Sequence, residues 1–151
     1  MQNSIERSIH LKAPIARVWS ALTDHREFGE WFGVHLDRPF KPGETVTGKI
    51  KIQGFEHVQF KVHVKDIKPK ELFAFTWLPF AVDKDRDYSG ETPTRVEFRL
   101  EDLGGETRLS VTESGFEHVP ADRRAEAFRM NSGGWTAQME NIRKYVDAQC
   151  C

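Results

Sequence analysis

The sequence predicts an α+β fold: a curved antiparallel sheet of six or seven strands wrapped around one long C-terminal helix, with two short helices after the first strand. Three observations predict it. From Pro120 to Cys150, Phe128, Trp135 and Ile142 recur every seven residues, and Ser132, Met139 and Val146 form a second such row, so one apolar stripe runs along a helix. Between Val46 and Val111 apolar and polar residues alternate with period two, interrupted by turn residues, as in an antiparallel meander. No second helix of comparable length is available, so only the sheet can cover the stripe.

The elements follow in order. Ser4 to Leu11 sets Ile5, Arg7, Ile9 and Leu11 against Glu6, Ser8 and His10, a strand with one partly wet face. Pro14 suits a first helical turn, and Ile15, Val18, Trp19 and Leu22 fall at three-and-four spacing, giving a helix to about Leu22. Thr23 or Asp24 caps a second short helix whose buried side is Phe28, Trp31 and Phe32. Glu27, three residues after Asp24, completes a capping box. Pro39, Pro42 and Gly43 mark loop and turn, with room for a short edge strand at Val34 to Leu36. Val46, Ile50 and Ile52 then form one strand and Val58, Phe60, Val62 and Val64 the next, joined by a turn at Gln53-Gly54.

After a turn at Pro69-Lys70, Leu72 to Leu78 is apolar on both faces except at Thr76, which argues a central, doubly covered strand. Pro79 stops it, and the charged stretch to Pro93, with Asp83 to Asp87 at its centre, reads as a long functional or mobile loop. Thr94, Val96, Phe98 and Leu100 face inward; Leu103-Gly104-Gly105 turns the chain; Thr107, Leu109 and Val111 continue the inward row. Extending that parity puts the carboxylate of Glu113 on the buried side, which is costly unless it is paired or wet. Its expected donors as a structural residue are Trp19, Trp77 or Arg95. In the last helix Gly133 and Gly134 each cost roughly 1 kcal/mol relative to alanine. Either the helix starts properly only near Ser132, after a looser turn from Ala121 to Met130, or the pair is a hinge at the mouth of a cavity.

The 151 residues suit one domain, residues 1–151, and the formal charge of -1 removes any bulk electrostatic case for nucleic acid or an anionic membrane. No apolar run approaches the roughly 18 residues of a membrane span, so the expected location is the cytoplasm. The adjacent Cys150 and Cys151 suit an exposed, reducible tail rather than a cross-link. His57 and His63 share one strand face but would stand roughly 20 Å apart at about 3.3 Å per residue, too far for one ion. With no nucleophile elbow or phosphate loop either, neither a metal nor another cofactor is expected.

Several segments carry a family likeness. Ala13-Pro14, Val18 to Asp24 and Glu30-Trp31-Phe32 resemble the entry motif of bacterial proteins similar to the activator of the heat-shock-protein-ninety ATPase. So do Leu72 to Trp77, Thr94 to Phe98, Thr107 to Phe116 and Gly134-Trp135. The resemblance covers essentially the whole chain. It implies membership of the helix-grip, or SRPBCC, superfamily of START lipid-transfer domains, the birch-pollen allergen and aromatic polyketide cyclases: a sheet gripping the long helix, with a cavity between. The superfamily has no shared catalytic motif.

The expected function is therefore binding of a small hydrophobic or aromatic ligand, without catalysis. Trp31, Phe60, Phe75, Trp77, Phe98 and Trp135 supply the rings. Glu113 and the row Asn131, Gln138 and Tyr145 orient the ligand's polar groups. The alternatives are a stress-related, co-chaperone-like module with a chaperone partner, and a cyclase- or hydratase-type enzyme using Glu113 as acid or base.

Overall fold

The period-two stretches fold into seven strands. The computed structural model describes residues 3–148; Cys150 and Cys151 lie outside them. The order along the chain is β1 (Ser4–Leu11), α1 (Ile15–Thr23), α2 (His25–Phe32), β2 (Val34–Leu36), β3 (Thr45–Ile50), β4 (Gln59–Lys68), β5 (Leu72–Trp77), β6 (Thr94–Asp102), β7 (Thr107–Ser114), a 3₁₀ turn (Phe116–His118) and α3 (Ala121–Ala148). One antiparallel sheet holds them in the order β1-β7-β6-β5-β4-β3-β2. Consecutive strands β1 and β2 thus form opposite edges, and α1 and α2 carry the chain between them. No helix among the described residues is long and apolar enough to cross a membrane.

β5 is buried at four successive positions, Leu72 to Phe75, as a central strand requires. Phe73 and Phe75 pack on the helix side with Phe98 of β6. Across the other face Asp66 and Glu97 flank Ala74 in the ladder, and Arg95 spans them at 2.8 and 3.0 Å. A small side chain under an ion-paired cover keeps that face dry.

Two boundaries differ from the sequence pattern. The Lys51 N–H bond to the Gly33 carbonyl at 2.8 Å is the last in register with the β2–β3 ladder; beyond it the chain turns, and Ile52 is left 43% exposed. Two successive turns follow, Phe55 N–H to Ile52 O and Val58 N–H to Phe55 O, so 51–58 is a loop. His57 and Val58 therefore precede β4 rather than belong to it. Second, α3 is helical without a break from Ala121 through Gly133 and Gly134, which rules out a loose turn before Ser132. Its first turn is tied to the preceding loop through Arg123, which donates to Glu91 and to the Pro79 carbonyl.

Asp24 serves two helices. Its backbone N–H closes α1 on Ser20 O, and its side chain accepts from the N–H groups of Arg26 and Glu27 at 2.9 and 3.3 Å, capping α2. The reciprocal half of the capping box is absent, because the Glu27 carboxylate is engaged elsewhere. It accepts from Arg17 and Ser20 of α1 and from the Tyr145 hydroxyl of α3, joining three helices. Burial pushes the Glu27 carboxyl up, but the bonds from Ser20, Arg17 and Tyr145 outweigh it and hold it below its ordinary 4.5. A depressed folded-state value stabilises the fold above the ordinary one and loses that stabilisation as pH falls through the folded value. Stability contributed by this knot is expected to be complete above about pH 4.5 and to decline below it. Urea unfolding at pH 7 and pH 3.5 checks this: Glu27→Gln should lessen the acid loss, and an unchanged loss would remove Glu27 as its source.

Candidate functional site

The site begins with a divergence in the sheet. β4 pairs with β5 only from His63↔Thr76 to Lys68↔Leu72, with a bulge between Val64 and Asp66. Below that point residues 59–62 pair with β3, whereas Trp77 pairs with Thr94 of β6. The strands part like a wedge, and a cavity of about 660 Å³ opens there between the sheet and α3. That volume lies within the ~300–1,000 Å³ usual for small-molecule sites.

Seven of its lining residues are Phe, Tyr or Trp. Trp77 and Trp135 stack at 5.7 Å with 28° between planes; Phe60 meets Trp77 edge-on at 6.0 Å; Phe32, at the end of α2, lies 6.2 Å from Trp135. The residue before Trp135 is Gly134, and a Cβ built there would meet nothing within 4 Å, so the wall lacks a side chain at that point. Two loops border the space, joined where His57 Nε2 meets the Val82 carbonyl at 3.2 Å.

Behind the rings sits Glu113, fully buried and absent from the cavity lining. Its Oε2 accepts from Trp77 Nε1 at 2.7 Å and Thr94 Oγ1 at 2.5 Å. Its Oε1 accepts from Trp135 Nε1 at 2.8 Å and Asn131 Nδ2 at 2.9 Å. Four donors from β5, β6 and α3 thus converge on one carboxylate of β7 and fix both indoles. Of the donors foreseen, Trp77 is present, whereas Trp19 is not and Arg95 is committed to Asp66 and Glu97. To act as acid or base, Glu113 would first have to release one of these bonds. Because the carboxylate can only accept, the Asn131 amide must turn its Nδ2 toward it, which leaves Oδ1 as an acceptor on a cavity-lining residue.

The anticipated ligand contacts divide evenly. Phe60, Trp77, Asn131, Trp135 and Gln138 line the cavity. Gln138 also ties α3 to α2, its Nε2 donating to Phe32 O at 2.9 Å while its Oε1 accepts from Asn141. Phe75 and Phe98 are fully buried core behind the wall. Trp31 donates to Ala21 O at 2.8 Å within the α1–α2 pair, and Tyr145 sits at Glu27 toward the far end of α3.

The loop 79–93 was not assigned to the site from sequence, yet Phe80, Val82 and Tyr88 line the cavity. It is latched to α3 by Arg123, whose Nε and Nη2 bond Glu91 Oε1 at 2.9 and 2.7 Å and whose Nη1 bonds Pro79 O at 2.7 Å. Arg86 adds bonds to Glu91 and to Asp122, and the bond from Arg86 holds the Asp122 carboxyl below its usual range. One signal was present: Arg123, Ala127 and Asn131 recur at fours on the inward side of the helix.

A family model described as Activator of Hsp90 ATPase homolog 1-like protein matches residues 12–147. No curated protein matches the chain. Among solved structures, DynU16 from the dynemicin biosynthetic locus superposes with a TM-score of 0.75 at 21% identity, over 99% of this chain and 49% of that one. The present chain therefore spans about half of DynU16. Protein MLL2253 from Mesorhizobium loti gives 0.74 at 22% identity, covering 96% and 97% of the two chains. The Aha1 dimer from Colwellia psychrerythraea gives 0.72 at 15% identity, covering 97% of each. These likenesses establish the shared fold.

Proposed function

The chain belongs to the family of Activator of Hsp90 ATPase homolog 1-like proteins, and from that premise we propose that it binds a small hydrophobic or aromatic molecule, in the cytoplasm, in the cavity between sheet and α3. The observation carrying this reading is the ring-walled volume of about 660 Å³ with a glycine in its wall. Phe60, Trp77 and Trp135 bury the ligand's rings, at roughly 25 cal/mol per Å² of apolar area removed from water. Asn131 Oδ1 accepts from a ligand donor group, and Gln138 closes the α2 side. Glu113 serves the site indirectly by accepting from both indole N–H groups, which holds the stacked pair at a fixed tilt.

Gly134→Phe tests it. The new ring projects into open space, and phenylalanine is a better helix former than glycine by roughly 0.5 kcal/mol, so the variant should be at least as stable as the parent. Binding of a neutral probe, N-phenyl-1-naphthylamine, followed by its fluorescence, should weaken at least tenfold. Equal binding to both proteins would end the cavity reading.

The family description favours one other reading, a stress-related module acting on a chaperone partner. In that case the charged loop from Asp83 to Asp87 is the contact, and the protein stimulates the chaperone's ATPase. An absence of stimulation, or stimulation untouched by neutralising the loop, counts against it.

A further inference from the structure

The lining of the cavity includes Lys61 and His63. These alternate along β4 with Phe60, Val62 and Val64, which are buried, Phe60 against Phe28 and Phe32 of α2, so their side chains leave from the opposite face of the sheet. One cavity can touch both sets only where β4 and β5 have parted, below the His63↔Thr76 pair. The space is therefore two-ended: rings and α3 at one end, and at the other a polar exit bordered by Lys61, His63, Thr45 and Thr76.

The charges at the two ends are unequal. Glu91 is the lining's one carboxylate, and it is already neutralised by Arg123 at 2.7 Å and Arg86 at 3.1 Å. Tyr88 accepts from the Asp83 N–H and lies under both guanidinium groups. His63 Nδ1 is bonded to Thr45 Oγ1 at 3.1 Å, which leaves Nε2 for another partner. Among the described residues no carboxylate pairs with Lys61. The carboxylate beside its ladder partner Thr47, Asp37, is engaged instead by Thr47 at 2.8 Å and by Arg38 at 3.6 Å. The uncompensated charge of the lining is thus a single cation at the exit.

We propose that the guest is an amphipathic monoanion, an apolar or aromatic body carrying one carboxylate-like head, with the body among Phe32, Phe60, Trp77 and Trp135 and the head at Lys61 and His63. This rests on the cavity reading above and adds the polarity of the guest. A cation is disfavoured at the exit by Lys61, and a fully neutral body leaves that ammonium group unused.

Two probes with one ring skeleton separate the claims: 8-anilino-1-naphthalenesulfonate, which is anionic, and neutral N-phenyl-1-naphthylamine. Each is titrated into the parent, Lys61→Gln and Gly134→Phe. Lys61→Gln should weaken the anionic probe about fivefold, the most that a partly exposed ion pair usually contributes, and leave the neutral probe unchanged. Raising the salt to about 0.5 M should shrink the anionic probe's loss toward unity. Gly134→Phe should weaken both. If Lys61→Gln affects the two probes equally, or affects neither, the anionic-head proposal falls while the cavity reading stands. If neither probe binds the parent, or both bind Gly134→Phe unchanged, both fall.

Discussion

Glu113→Ala is expected to destabilise the protein by about 4 kcal/mol, lowering the midpoint of thermal unfolding by roughly 10 °C. The carboxylate is fully buried, and its removal strands two indole N–H groups, an amide and a hydroxyl in an apolar interior. Glu113→Gln is the more discriminating change. Its NH₂ must stand where one carboxylate oxygen stood. At the Oε2 position it confronts Trp77 Nε1, and at the Oε1 position Trp135 Nε1. Thr94 can reverse its hydroxyl and Asn131 can flip its amide, but an indole cannot become an acceptor. One N–H to N–H clash therefore survives either way, and a loss of about 2 kcal/mol is expected. Urea unfolding measures both variants; losses under 1 kcal/mol in each would mean that the four-donor clasp is not what holds the meander to α3.

Gly29→Ala is expected to cost about 2 kcal/mol, although alanine is the better helix former by about 1 kcal/mol. Gly29 lies inside α2, and a Cβ there would collide with the carbonyl oxygen of Val34, at the start of β2. The obstacle is backbone, so no side-chain rotation relieves it, and α2 would have to lift from the edge strand that borders Phe32. Gly133→Ala supplies the opposite sign within the same protein. Its Cβ would meet nothing within 4 Å, so it should stabilise by about 1 kcal/mol. If both substitutions moved stability in the same direction, helix propensity rather than the α2–β2 approach would govern Gly29.

Much of this arrangement was legible because it repeats. The sevens of Phe128, Trp135 and Ile142, the alternation through β4 and β6, and the unbroken apolar run of β5 each report a period that only one element satisfies. Parity alone placed Glu113 indoors. Ile52 and Val58 misled for the same reason: they continue the alternation after the chain has left the ladder, because the backbone turns that close on Ile52 O and Phe55 O have no side-chain signature. The site was half legible. Phe60, Trp77 and Trp135 stand on regular elements, whereas Phe80, Val82 and Tyr88 sit in an aperiodic loop and enter only because Arg123 and Glu91, 32 residues apart, find each other.

Local periodicity, set by how each residue type meets water along a helix or strand, determined the element types, the long gripping helix, the buried carboxylate and the ring-rich interior. The donors that satisfy that carboxylate, the parting of β4 from β5, and the cavity's passage from indole walls to a lysine at its exit were decided by tertiary structure. Each depends on the relative placement of segments distant in the chain, and no single segment's pattern of burial contains it.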